Sequence, residues 1–160
     1  MPTNLTVVSE TNFNIGVTQT NLTGASVGVS QTNLTAASSR PVSANTITLY
    51  GNGGKLALHG SNEMVFLSGT NNNIDDLSQG MTLVLSGSPG NVTLSGFAND
   101  LSGVIDLRGG LGGFTTPQAV VSALTSDGHG GTLLSFGSAG SLDFVNTPAA
   151  DLTASHFAIG

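Results

Sequence analysis

Apolar and polar residues alternate without a break through Phe13, Asn14, Ile15, Gly16, Val17 and Thr18. A period of two places one face of a strand in a core and the other in water. The stretch belongs to a repeat, in which Thr3-Asn4-Leu5-Thr6, Thr11-Asn12-Phe13-Asn14, Thr20-Asn21-Leu22-Thr23 and Thr32-Asn33-Leu34-Thr35 follow one another. Their separation is that of strand plus turn, not of a helix. The pattern predicts an extended arm over residues 1–40, anchored through Leu5, Val7, Phe13, Ile15, Val17, Leu22, Val27 and Val29. Arg40-Pro41 closes it, because proline removes a ladder donor and holds its neighbour extended.

Beyond Pro41 the pattern changes to short apolar runs at residues 47–50, 56–58, 64–67, 81–85, 92–94, 104–107, 133–136 and 142–145. Turn formers separate them, among them Gly51-Asn52-Gly53-Gly54 and Gly69-Thr70-Asn71-Asn72-Asn73. The steps between runs are short and nearly even, as Leu49 to Leu58, Leu58 to Phe66 and Leu94 to Ile105 illustrate. This spacing predicts an all-β chain: a parallel β-solenoid or β-roll-like domain with an extended N-terminal strand arm, the Gly and Asn turns favouring tight coils. An antiparallel β-sandwich is the alternative. One segment departs from the pattern, Thr116-Pro117 followed by residues 118–124, which reads either as a capped helical turn or as a buried strand.

Composition narrows the function. Gly, Ser, Thr and Asn number 23, 19, 19 and 14 among 160 residues, a set that disfavours helix. The 38% of hydrophobic residues still supports a core. Only 3 Lys and Arg oppose 9 Asp and Glu, a net charge of -6, which argues against nucleic acid and against anionic membrane surfaces as partners. No apolar run is long enough to span a bilayer, so no membrane insertion is expected. The N-terminus lacks the basic and apolar regions of a cleaved leader. With 0 Cys there is neither a disulfide scaffold nor thiolate chemistry. Between Thr11 and Gly54 the only charge is Arg40. An uncharged strand arm lacks the gatekeepers that stop edges from pairing, so it is either covered within its own subunit or pairs with another.

Candidate chemistry is sparse. His59, His129 and His156 lie far apart, and no zinc-protease, nucleophile-elbow, phosphate-loop or dinucleotide motif occurs, so no enzyme is expected. The four Asn-x-Ser/Thr sequons, at Asn4, Asn21, Asn33 and Asn91, are at the level the abundance of Asn and Thr produces. Asp75 and Asp76 after three Asn, Asp100, and Asp127 within Asp127-Gly128-His129-Gly130-Gly131 are candidate hard ligands for calcium, which takes six to eight oxygens. The simpler reading is that they close turns through local side-chain bonds, with no cofactor at all. Asp106 and Asp143 fall within strand runs, where alternation turns them outward to solvent.

The segments Asp127-Gly128-His129-Gly130-Gly131-Thr132-Leu133-Leu134-Ser135-Phe136, Gly140-Ser141-Leu142-Asp143-Phe144-Val145 and Asp151-Leu152-Thr153-Ala154-Ser155-His156-Phe157 resemble the C-terminal modules of Gram-negative type I secreted, RTX-like proteins. The resemblance covers residues 127–160 and implies an uncleaved C-terminal export signal, an extracellular location and a β-roll-like fold. The tandem calcium nonapeptide of that family does not occur in this chain. Three regions result: the arm at 1–40, a β-solenoid-like core at 41–126, and the C-terminal module at 127–160. The expected function is a structural extracellular protein that self-assembles into fibres or biofilm matrix by strand donation between copies of itself. Extracellular polysaccharide is the expected second partner of such a matrix. The alternative is a secreted adhesin or carbohydrate-binding β module, although there is no Trp and Tyr50 is the sole tyrosine.

Overall fold

The structure is a computed structural model that describes residues 29–33, 45–58, 60–100 and 102–160. The fold is all-β. Its strands are β1 (Val29–Asn33), β2 (Asn45–Tyr50), β3 (Lys55–Leu58), β4 (Glu63–Ser68), β5 (Asn73–Asp76), β6 (Thr82–Leu85), β7 (Gly90–Ser95), β8 (Val104–Leu107), β9 (Thr125–Ser126), β10 (Thr132–Ser135), β11 (Gly140–Phe144) and β12 (Phe157–Ile159). They form two sheets, ordered β1-β2-β4-β6-β8-β12 and β3-β5-β7-β11-β10-β9.

From β2 to β8 the chain alternates between the sheets, so sequence neighbours face each other across the core and do not pair. Pairing skips a strand. Asn45 lies beside Glu63, Met64 beside Thr82 and Lys55 beside Asn73. The short, even step between apolar runs in the sequence is therefore the crossing from one sheet to the other, and two steps bring the chain back beside itself. Pairing is parallel from β2 through β4, β6 and β8 to β12, and from β3 through β5 and β7 to β11. It is antiparallel where β1 meets β2 at the edge of the first sheet, and where β10 meets β11 and β9 meets β10 in the second, so both sheets are mixed.

Equivalent residues stack in rows between the sheets. Ile47, Val65, Leu83, Ile105 and Phe157 form one inward row of the first sheet, and Leu56, Ile74, Leu94 and Phe144 one of the second. Full burial of each such side chain contributes about 1.5–3 kcal/mol. Phe144 meets Phe97 at 5.5 Å and Phe157 at 6.2 Å between ring centroids, tying the ends of the two sheets to the turn after β7. Residues 127–160 share this core, since β11 extends the second sheet beside β7 and β12 extends the first beside β8.

Turns carry the chain between the sheets, and at Gly69 the reason for glycine is steric: a Cβ there would overlap the carbonyl of Gly51 in the turn beneath. Asn side chains stitch turn to turn at the same corner. The Thr70 N–H donates to Asn52 Oδ1, the Gly54 N–H to Asn72 Oδ1 and the Asn91 N–H to Asn71 Oδ1, each at 2.9 Å. The segment at 116–124 forms helix α1 (Pro117–Ser122), whose N-cap Thr116 accepts the Ala119 N–H through its side chain. Val120 drops from α1 into the core.

Candidate functional site

The two ends of the sheets differ. At the late end, α1 packs against the edge strand β12 and against the 3-10 turn Ala154–His156. That turn is locked by His156, whose Nδ1 accepts the Thr153 N–H at 3.0 Å and whose ring stands on Phe97. The other late edge, β9, spans only Thr125–Ser126. A covering helix and a very short edge are devices that blunt strand pairing.

At the early end the edges are β1 and β3, and among the described residues neither has a strand on its outer side. β1, Val-Ser-Gln-Thr-Asn, carries no charge and lies antiparallel on β2, with Val29 beside Leu49. Of the expected arm anchors, Val29 thus opens a strand paired within its own chain. Leu5, Val7, Phe13, Ile15, Val17, Leu22 and Val27 lie outside the described residues. β3 turns Leu56 and Leu58 into the core and Lys55 and Ala57 outward, and Lys55 is exposed. Sequence reasoning passed over Lys55 because a lone lysine in a strand carries no motif; only the strand order shows that it stands on an edge.

The structure does not bring the candidate metal ligands together. Asp75 faces out from β5 and accepts Ser95 Oγ at 2.9 Å. Asp76 points inward, is 1% exposed, and accepts the backbone N–H and hydroxyl of Ser78 through Oδ1. Its Oδ2 is buried without a hydrogen-bond partner, and desolvation pushes its carboxyl above the usual range. Asp100, also 1% exposed, accepts the N–H of Gly80 at 2.7 Å and of Met81 at 2.9 Å, plus the Ser102 N–H and hydroxyl. Asp127 is half-buried and accepts the N–H groups of His129 and Gly131, which lower its pKa, the His129 bond most. Each carboxylate other than Asp75 closes a turn. Among the described residues no group of three or more His, Cys, Asp or Glu converges where it would hold a metal ion.

Asp106 and Asp143 face outward as alternation requires, but neither is freely solvated. Asp106 is buried beneath Arg108, which reaches it at 2.8 Å and lies 5.7 Å from the Phe66 ring centroid on the same face. Asp143 has a buried Oδ1 with no hydrogen-bond partner, and desolvation, then the charge of Asp127, raises its pKa. The reason is neighbouring strands: in a stack of short strands the residue above and below covers an outward side chain as an isolated strand would not. On the outer face of the second sheet Asn73, Thr93 and Asp143 form one row that continues to the half-buried Leu133 of β10, and Asn91 is bonded to Ser141 at 3.1 Å.

No protein-family model, no curated protein and no solved structure matches the chain.

Proposed function

We propose that this chain is a structural extracellular protein whose copies join by strand donation at the early end of the sheets. The observation that carries the reading is the contrast between the ends: α1 and the short β9 blunt one, while β1 and β3 leave the other with strand edges. The sequence before β1 is a repeat of strand-like segments with a single charge, Glu10. Such a segment adds to an open edge by exchanging solvated backbone groups for ladder bonds. Donor and acceptor are different surfaces, so the contact propagates when each copy serves two neighbours. The strands of 45–160 are read as the flattened coils of a parallel β-solenoid, each coil made of one strand from either sheet, extended at the C-terminal end by antiparallel strands. Export through a type I route from a Gram-negative cell follows from the resemblance of 127–160 to RTX-like C-terminal modules.

Negative-stain microscopy of the purified chain tests this. Filaments are expected, and they are lost when residues 1–40 are deleted; monodisperse particles of the full chain refute the reading. The polar residues on the outer face of the second sheet support a second role in the same matrix, contact with polysaccharide, and co-sedimentation with insoluble glycan tests it.

A further inference from the structure

The early end has two edges, and their chemistry differs. β1 is uncharged, whereas β3 begins with an exposed lysine on its outward face. Across the β3–β5 pair Lys55 faces the neutral Asn73, and among the described residues no ion pair engages it. Glu10 is the only acidic residue that precedes Glu63. The donor arm thus carries one negative charge, and β3 one positive charge beside its open side.

Parity supplies the second argument. Leu5, Val7, Phe13, Ile15 and Val17 all occupy odd positions and Glu10 an even one. A strand in which Glu10 faces outward therefore turns every one of these apolar residues inward, in either strand direction. On β3 the same alternation holds, with Lys55 outward and Leu56 and Leu58 inward. Placing Glu10 beside Lys55 sets acid on base and brings Val7 (antiparallel) or Phe13 (parallel) beside Leu58, with Ser9 or Thr11 beside Leu56. A one-residue slip turns Glu10 toward the core beside Leu56 and takes it away from Lys55.

Resting on the strand-donation reading, we infer that β3 of one copy receives the segment around residues 5–17 of a second copy, and that the Glu10–Lys55 pair sets the register. The pair selects β3 over β1, since β1 offers the acid no partner. Glu10 acts less as a source of affinity than as a guard against the slipped register, because an exposed ion pair stabilises little by itself.

Charge exchange between copies tests this. The critical concentration for assembly, read by sedimentation and checked by microscopy, is compared for the wild type, Lys55→Glu, Glu10→Lys and a 1:1 mixture of the two variants, with circular dichroism confirming that each is folded. Each variant alone sets like charges against each other and is expected to assemble at a severalfold higher concentration. The mixture recovers wild-type behaviour, because the introduced lysine of one variant's arm meets the introduced glutamate on the other's β3, and the native Glu10 and Lys55 that remain meet each other. Filaments from both single variants at the wild-type concentration would overturn the register while leaving strand donation intact. Loss in both without recovery in the mixture would overturn pairing between copies. A wild type that forms no filaments would refute the underlying reading as well.

Discussion

Replacing Asp100 by alanine separates a turn-closing carboxylate from a metal ligand. In the native fold Asp100 accepts the Gly80 N–H at 2.7 Å and the Met81 N–H at 2.9 Å, both far from it in sequence. Met81 is fully buried, so its orphaned N–H has no water to turn to. Leaving a buried donor unsatisfied costs about 1–3 kcal/mol, and bonds to a charged acceptor sit toward the upper part of that range. Gly80 is only partly enclosed and contributes less. Relief from burying a carboxylate, and from its repulsion of Asp76, offsets part of the sum. The net expectation for Asp100→Ala is a loss of about 2–4 kcal/mol, which at roughly 2–4 °C per kcal/mol lowers the melting temperature by about 5–15 °C. Asp75→Ala, which removes one bond to Ser95, is the control and falls within about 1 kcal/mol of wild type. Thermal unfolding followed by circular dichroism, with and without chelator, reads both. A melting temperature for Asp100→Ala within about 1 °C of wild type would refute the hydrogen-bond argument. If chelator reproduced the loss in wild type and did nothing to the variant, Asp100 would be a calcium ligand after all.

The pH dependence follows from two raised carboxyls and one lowered. Asp76 and Asp143 titrate above 3.8 in the folded chain, chiefly through desolvation, so their contribution is full below 3.8 and is lost as pH rises through the folded value. Asp127 does the reverse below 3.8. Melting temperature should therefore rise as pH falls from neutral toward the ordinary carboxylate range; Asp76→Asn should flatten that slope and raise stability at neutral pH, and an unchanged slope in a pH-melting series would count against it. Phe144→Ala empties the centre of the aromatic cluster and is expected to cost about 3–5 kcal/mol in urea unfolding; a loss under about 1 kcal/mol would mean the core is not packed as described. Gly140→Ala sets a Cβ against the Gly90 carbonyl where β11 meets β7, and should lower the yield of folded protein far more than Gly87→Ala, which meets open space. Equal yields would argue against the β7–β11 pairing.

The strands were legible because each short apolar run has turn formers on both sides, and β2, β3, β4, β6, β7, β8, β10 and β11 lie on the expected runs. β5 has no apolar run of its own, since Asn73–Asp76 contains one apolar residue; it is held as a strand by its neighbours β3 and β7, not by its own composition. Strand partners were hidden. The step from Leu49 to Leu58 has the same length whether the next strand lies beside the last one or across the core, and only the register shows that pairing takes two such steps. For the carboxylates, Asn and Gly neighbours mark a turn but not which way the acid points. Asp75 and Asp76 are adjacent, and one faces water while the other enters the core. Thr116-Pro117 offered a helix start as one of two readings, the other a buried strand; the helix forms through a local mechanism, a threonine side chain over a proline that needs no donor.

The helix beside β12 also bears on the shape of any polymer. Under the proposed strand donation, a late end sheathed by α1 would keep units from fusing strand to strand into one continuous column. The spacing along such a thread would then be set by the reach of the chain before β1, at most about 3.3 Å for each extended residue, and not by the separation of stacked strands.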